Sequence, residues 1–274
     1  VRDKRFRYIR NYEPLKTYYQ YMNTPEKGAT MKEIRRVAAK GEMPPAAALF
    51  LAPRKPVEEL YDLEADPHEI RNLAGEKKYA KNLKKLREAH MQWVRETGDL
   101  GLLPEAEIEI REKAAGARFN ILKGKNELNA QLGNAAAMAS SGVYALPSMM
   151  QSMQHPDAAV RYWAATGVGN IGPEAANARQ SMIKALKDTS PSVRIAAARA
   201  LANLGDLLLR QGHIAEAYDL LERGLVLLPT NAGLLCSLGR ASALSTDSTA
   251  SDPPHDCRPY SAFPISCPFS EAPL

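Results

Sequence analysis

The sequence predicts an α+β chain: a small antiparallel sheet with packed helices, followed by an all-α helical-repeat solenoid. Three observations carry this. Two short runs, one of alternating aromatics and one of apolar residues, near the start read as strands. A long segment of helical apolar spacing follows. Beyond it, a motif repeats itself at a shift of 33 residues.

The first strand is read from Arg5 to Tyr12, where Phe6 and Tyr8 alternate with Arg5, Arg7 and Ile9. Tyr18, Tyr19 and Tyr21 continue the aromatic stretch. Thr30 and Glu33 have capping-box spacing, so a short helix with Ile34 and Val37 inward is expected to start there and end near Gly41. Pro44, Pro45, Pro53 and Pro56 then predict an extended path. Glu58 to Leu63 reads as a second strand. Asp66, Pro67 and Glu69 predict a second capped helix start. From Lys77 to Thr97, Tyr79, Leu83, Leu86, Trp93 and Val94 keep helical spacing, and Gly98 stops the helix. Pro104 opens another, with Glu107/Arg111 and Glu109/Lys113 pairs at i,i+4.

The string Glu59 to Ala74, ELYDLEADPHEIRNLA, resembles the C-terminal signature of sulfatases. The opening Val1–Arg10, VRDKRFRYIR, resembles the strand that begins the same subdomain. The resemblance covers residues 1–102. It implies a small antiparallel sheet packed by a long helix, appended to a larger α/β catalytic domain that hydrolyses sulfate esters with formylglycine and calcium. The formylglycine precursor opens a C/S-x-P-x-R motif, and no Cys completes it: Cys236 has Leu238 in place of the Pro, Cys257 has Ser261 in place of the Arg, and Cys267 has neither the Pro nor the Arg. Thr189 to Arg194 (TSPSVR) is a decoy, beginning with Thr and placing Arg one position late. No catalytic, cofactor-binding or metal residue is therefore assigned to this chain. The expected reading is a fragment whose partner is the missing N-terminal sulfatase catalytic domain, which would hold the calcium and the formylglycine. The compartment is not legible; an extracytoplasmic parent is implied by the resemblance alone. Arg2, Lys4, Arg5, Arg7 and Arg10 are the candidates for steering an anionic substrate. The default reading of those charges is a solvated strand face.

The second copy of the internal repeat starts at Val193. Val160-Arg-Tyr-Trp-Ala-Ala superposes on Val193-Arg-Ile-Ala-Ala-Ala, and Asn170-Ile-Gly172 on Asn203-Leu-Gly205. Small residues let helices approach closely, and the pattern is similar to HEAT repeats over 126–206. Asp157 and Asp188 are expected to cap helices, and Arg161 and Arg194 to bond within the stack. Leu201, Leu204, Gly205, Leu208, Ala217, Leu221 and Gly224 then take tetratricopeptide spacing, giving a repeat and a half over 201–244, with Leu235, Leu238 and Gly239 opening the half. Residues 103–125 read as a connecting helix or linker. Residues 245–274, rich in Ser and Pro, read as a disordered tail.

Composition limits the functions on offer. The chain has 274 residues, 36 Lys+Arg against 31 Asp+Glu, and three Cys. Residues 1–125 carry 26 basic and 19 acidic side chains, net +7, and the remainder is net −2. No apolar run approaches the ~20 residues of a membrane span. The three Cys and five His have no zinc-site spacing. The basic half matches no nucleic-acid motif, so no such partner is expected. Solenoids of this kind bind proteins on one face. The alternative to the hydrolase fragment is therefore a non-enzymatic repeat scaffold for protein–protein interaction.

Overall fold

The computed structural model describes residues 1–19, 22–210, 212–227, 238 and 241. The chain divides into two compact units. One comprises residues 14–55. The other comprises residues 1–13 and the described residues from 56 to 241.

In the larger unit β1 (Phe6–Arg10) pairs antiparallel with β2 (Glu58–Asp62), with Phe6 opposite Asp62 and Arg10 opposite Glu58. Strand alternation turns Phe6 and Tyr8 to the core, where Leu60, Leu73, Leu83 and Leu86 join them. The free edge of β2 is closed by the signature segment. The Leu73 amide donates to the Leu60 carbonyl, and the Asn72 side chain accepts from the Leu60 amide and donates to the Glu58 carbonyl. A short edge covered in this way is protected from pairing with other chains.

The long helix predicted from Lys77 forms as a 3-10 turn and α4 (Ala80–Thr97), stopped by Gly98 at φ 60. That left-handed conformation suits glycine. Its buried stripe is Leu83, Leu86 and Val94 with His90 between them; Trp93 stays 49% exposed. Trp93 lies one residue, about 100° of helix rotation, off that stripe. After α5 (Glu105–Ala115), five helices build the stack: α6 (Asn126–Met138), α7 (Leu146–Ser152), α8 (Ala158–Ile171), α9 (Arg179–Ala185) and α10 (Pro191–Arg210). α11 (Ile214–Leu227) packs on α10 through Ala217 and Leu221. Leu103, Ile108, Ile121 and Leu122 enter one core with Leu132, Ala136 and Trp163, so the stretch 103–125 is built into the stack. The Met149, Met153 and Met182 side chains are core packing. Among the described residues no helix is long and apolar enough to cross a membrane.

The smaller unit contains α1 (Asn23–Lys27), α2 (Ala29–Ala39) and α3 (Pro45–Ala48). Here two expectations are corrected. Thr30 does not open a capping box, because α2 starts at Ala29 with Gly28 as its cap and Glu33 pairs with Arg36 instead. Pro45 does not hold the chain extended; it takes the first helical position of α3, where a missing amide costs nothing. Ile34 and Val37 are half-buried, and Met31 is the buried anchor of α2. In the larger unit, the capped helix expected at Asp66 does not form. The Asp66 carboxylate accepts the Ile70 and Arg71 amides, closing a turn, and Glu69 is left-handed at φ 55. Leu235 and Gly239 of the predicted half repeat, and the tail 245–274, lie outside the described residues.

The stack depends on small residues. A Cβ on Gly167 would sit 2.7 Å from the Met149 sulfur and 2.9 Å from the Ala139 Cα. Gly167→Ala should therefore lose stability. Overpacking of about 1–3 kcal/mol outweighs the roughly 1 kcal/mol that Ala gains in helix propensity. A lowered urea midpoint at unchanged slope is the expected result.

Candidate functional site

The chemistry-bearing residues of the larger unit fall into two groups, one around the sheet and one along the stack. At the sheet, strand parity separates the five cations read as a set. Arg7 alternates to the face opposite Phe6 and Tyr8, while Arg5, just before β1, lies over the Phe6 ring at 5.3 Å. Arg5 donates to both Asp62 oxygens (2.6–3.0 Å), and Arg7 pairs with Glu69 at 2.7 Å. Arg2 and Lys4 are exposed, with Arg2 bridging the backbone of Arg7. Arg10 points inward. Its guanidinium donates to the Ala137 carbonyl (2.7 Å) and the Ser140 hydroxyl (2.6 Å), at the C-terminal end of α6, where orphan carbonyls attract a cation. The cations thus do not form one cluster.

Behind the sheet, Glu58 takes a bidentate bond from Arg87 (2.6 Å twice) and a 2.7 Å bond from the Tyr8 hydroxyl. Burial pushes the Glu58 carboxyl up, and Arg87, Tyr8 and Arg10 outweigh it, so the group is held below its ordinary range. His90 lies between the Tyr8 and Tyr12 rings, each 5.9 Å away, with Nε2 2.8 Å from the Tyr12 hydroxyl. Burial, with the Val1 ammonium and Arg10 adding to it, lowers the His90 pKa. Burial raises that of Tyr12 to about 12. A neutral imidazole and a neutral phenol are both stable here.

Along the stack the repeat is visible in hydrogen bonds. Arg161 Nη1 donates to the His155 and Pro156 carbonyls; Arg194 Nη1 donates to those of Asp188 and Thr189, 33 residues on. Arg161 also grips the Asp188 carboxylate of the next repeat at 2.8 Å through two nitrogens. Asp157 caps α8 through the Ala159 amide as expected. Asp188 sits two residues too early to cap α10; its repeat counterpart is His155, and both accept the amide two residues on. Asn170 and Asn203 each donate to a carbonyl of the preceding stack helix, Ala139 and Gly169.

A polar cluster that joins α5 to the stack was not singled out from sequence. Glu107, 6% exposed, accepts from Arg111 and from the Ser190 hydroxyl (2.7 Å). Arg111 also donates two bonds of 3.0–3.1 Å to Asp157. The i,i+4 spacing of Glu107 and Arg111 was legible; Asp157 and Ser190, 46 and 83 residues away from their partners, were not. The pattern is structural, since every member is satisfied within the stack. Among the described residues no group of three or more His, Cys, Asp or Glu converges as a metal site. The calcium implied by the sulfatase resemblance therefore finds no ligand set there, and no catalytic step is assigned to these residues.

The architecture is a two-stranded sheet and long helix running into a helical-repeat stack. Residues 146–226 match the family model for HEAT repeats. The match extends over the α10–α11 segment read as tetratricopeptide-like. Two curated relatives are both described as "Ulvan-active sulfatase", from Formosa agariphila. One is 41% identical over 108 residues, covering 39% of this chain and 18% of the relative. The other is 32% identical over 100 residues, covering 36% and 18%. The chain thus spans less than a fifth of the length of these relatives. No solved structure matches.

Two predictions follow from burial. Arg111→Leu strands two carboxylates, one of them buried, and should cost about 3–5 kcal/mol, whereas Arg7→Ala breaks an exposed pair worth about 0–1 kcal/mol. Urea unfolding of both variants checks the ratio. His90 has a folded pKa below its ordinary 6.5, so the folded state resists protonation. Stability should be full above that value and fall as pH drops through it towards the lowered folded pKa. The unfolding midpoint of His90→Gln should decline less than that of the wild type between about pH 7.5 and 5.

Proposed function

We propose that this chain is the accessory C-terminal part of a sulfatase-like sulfuric ester hydrolase, extended by a helical-repeat arm that binds protein. The observation that carries the reading is the 41% identity over 108 residues to a sulfatase of which that stretch covers 18%. The fold supports it, because Asp62, Asp66 and Asn72 of the signature are occupied in building structure. Asp62 holds Arg5, and Asp66 and Asn72 hold backbone amides. The reacting groups, with the formylglycine and calcium, then belong to a catalytic part that this segment braces. Arg2 and Lys4, with the exposed sides of Arg5 and Arg7, would draw a sulfated substrate towards it. Arg10, facing α6, would contribute only at longer range.

Within the arm, the α10–α11 pair supports a tetratricopeptide-type packing, with Gly205 admitting Leu221 at the place where a Cβ would come within 3.0 Å of it. The second reading, a scaffold without enzymatic action, is favoured by one observation. The repeat row of Tyr162, Thr166 and Asn170 recurs as Ile195, Arg199 and Asn203, and Ile195 and Arg199 stand exposed. A row of this kind along stacked helices is a protein-binding surface in solenoids.

The two readings share one prediction about the chain by itself. The purified 274-residue protein should hydrolyse no aryl sulfate above the buffer background. Turnover that survives repeated purification would place the catalytic groups in this chain and overturn the accessory assignment.

A further inference from the structure

The unit formed by residues 14–55 has a surface that neither reading uses. Tyr18, Met22, Pro25, Met31, Ile34 and Phe50 line a groove of about 680 Å³. Its walls stay open to solvent: Met22 is 56% exposed and Tyr18 and Phe50 are 39% each. Leu15 and Leu49 are exposed in the same unit. Contiguous apolar exposure of this kind marks a binding surface. The floor is fixed. Tyr19 packs on Phe50 with ring centres 5.2 Å apart and donates its hydroxyl to Glu26, and Arg35 forks onto the same carboxylate.

Charge selects the occupant. Residues 14–55 carry eight Lys+Arg and three Asp+Glu. Two of the three acids, Glu26 and Glu33, are already paired with Arg35 and Arg36. Lys27, Lys32, Lys40 and Arg54 are exposed and form no ion pair among the described residues. Lys27 and Lys32 flank the groove residues Gly28 and Met31 in the chain. A sugar chain needs polar groups to orient its hydroxyls, and the groove offers mainly methionine, aliphatic and ring surface. A membrane is flat, and this surface is concave. A helix with one apolar face fits a groove of this lining, and methionines adapt to such a face.

We propose that the 14–55 unit is a docking site for an acidic amphipathic helix of a partner protein, with apolar side chains seated among Tyr18, Met22 and Phe50 and carboxylates facing Lys27 and Lys32. The proposal stands apart from the hydrolase reading.

The test titrates the full chain into a fluorescent peptide of about five helical turns, with Leu on one face and Glu on the other. The same peptide with Lys replacing Glu, heparin, and phosphatidylserine vesicles are run in parallel. The Glu peptide should bind at low-micromolar concentration and the Lys peptide at least about tenfold more weakly. Met22→Asp, on an exposed wall residue, should weaken the Glu peptide about tenfold or more. Lys27→Glu/Lys32→Glu should do the same and flatten the salt dependence. Circular dichroism of each variant, matching that of the parent chain, shows that binding and not folding is lost. Equal binding of both peptides, binding unaffected by Met22→Asp, or retention by heparin or vesicles without binding of the Glu peptide would each overturn the proposal.

Discussion

Arg111 holds two carboxylates at once, and the stack depends on it. One is Glu107 on its own helix; the other is Asp157, the cap of α8. Glu107 in turn accepts the Ser190 hydroxyl just before α10. One guanidinium therefore fixes α5 against the starts of two repeat helices. A buried charge of this kind is costly to desolvate, and it is tolerable here because every polar atom facing it is matched. Arg161 repeats the device one step along the stack through Asp188. The repeats are thereby locked in rotation as well as packed.

The same economy appears where the sheet meets the stack. Arg10 leaves the end of β1 and satisfies the carbonyl of Ala137, while Tyr12 lies against Trp163 with ring centres 6.0 Å apart. Trp163 donates its indole N–H to the Leu102 carbonyl at 2.7 Å. Buried aromatics with a polar handle find a partner, and in doing so they index one element against another. The sulfatase-like segment and the first repeat helices share one core in consequence. A repeat array near the minimal length for stability gains a folded neighbour at one end.

Much of the fold was legible in the sequence. The two strands, the long helix ending at Gly98 and the 33-residue repeat follow from patterns of period 2, 3.6 and 33. The failures have local causes. The Asp66 box was misread because Asx turns and helix caps use the same residues, and only the left-handed Glu69 decides between them. Trp93 keeps helical spacing with Leu83, Leu86 and Val94 in the sequence, and its angular position leaves it 49% exposed.

The sequence by itself determined the two strands, the long helix and the helical repeat, since those depend on local spacing and on residue volume. It also determined that this stretch carries no C/S-x-P-x-R motif. Only the tertiary structure decided which charges are spent. Asp157, Ser190 and Ala137 lie 46 to 127 residues from the groups that bond them, and no local rule relates such positions. Whether an arginine is a free surface charge or a buried clasp is set by what the fold brings within 3 Å of it.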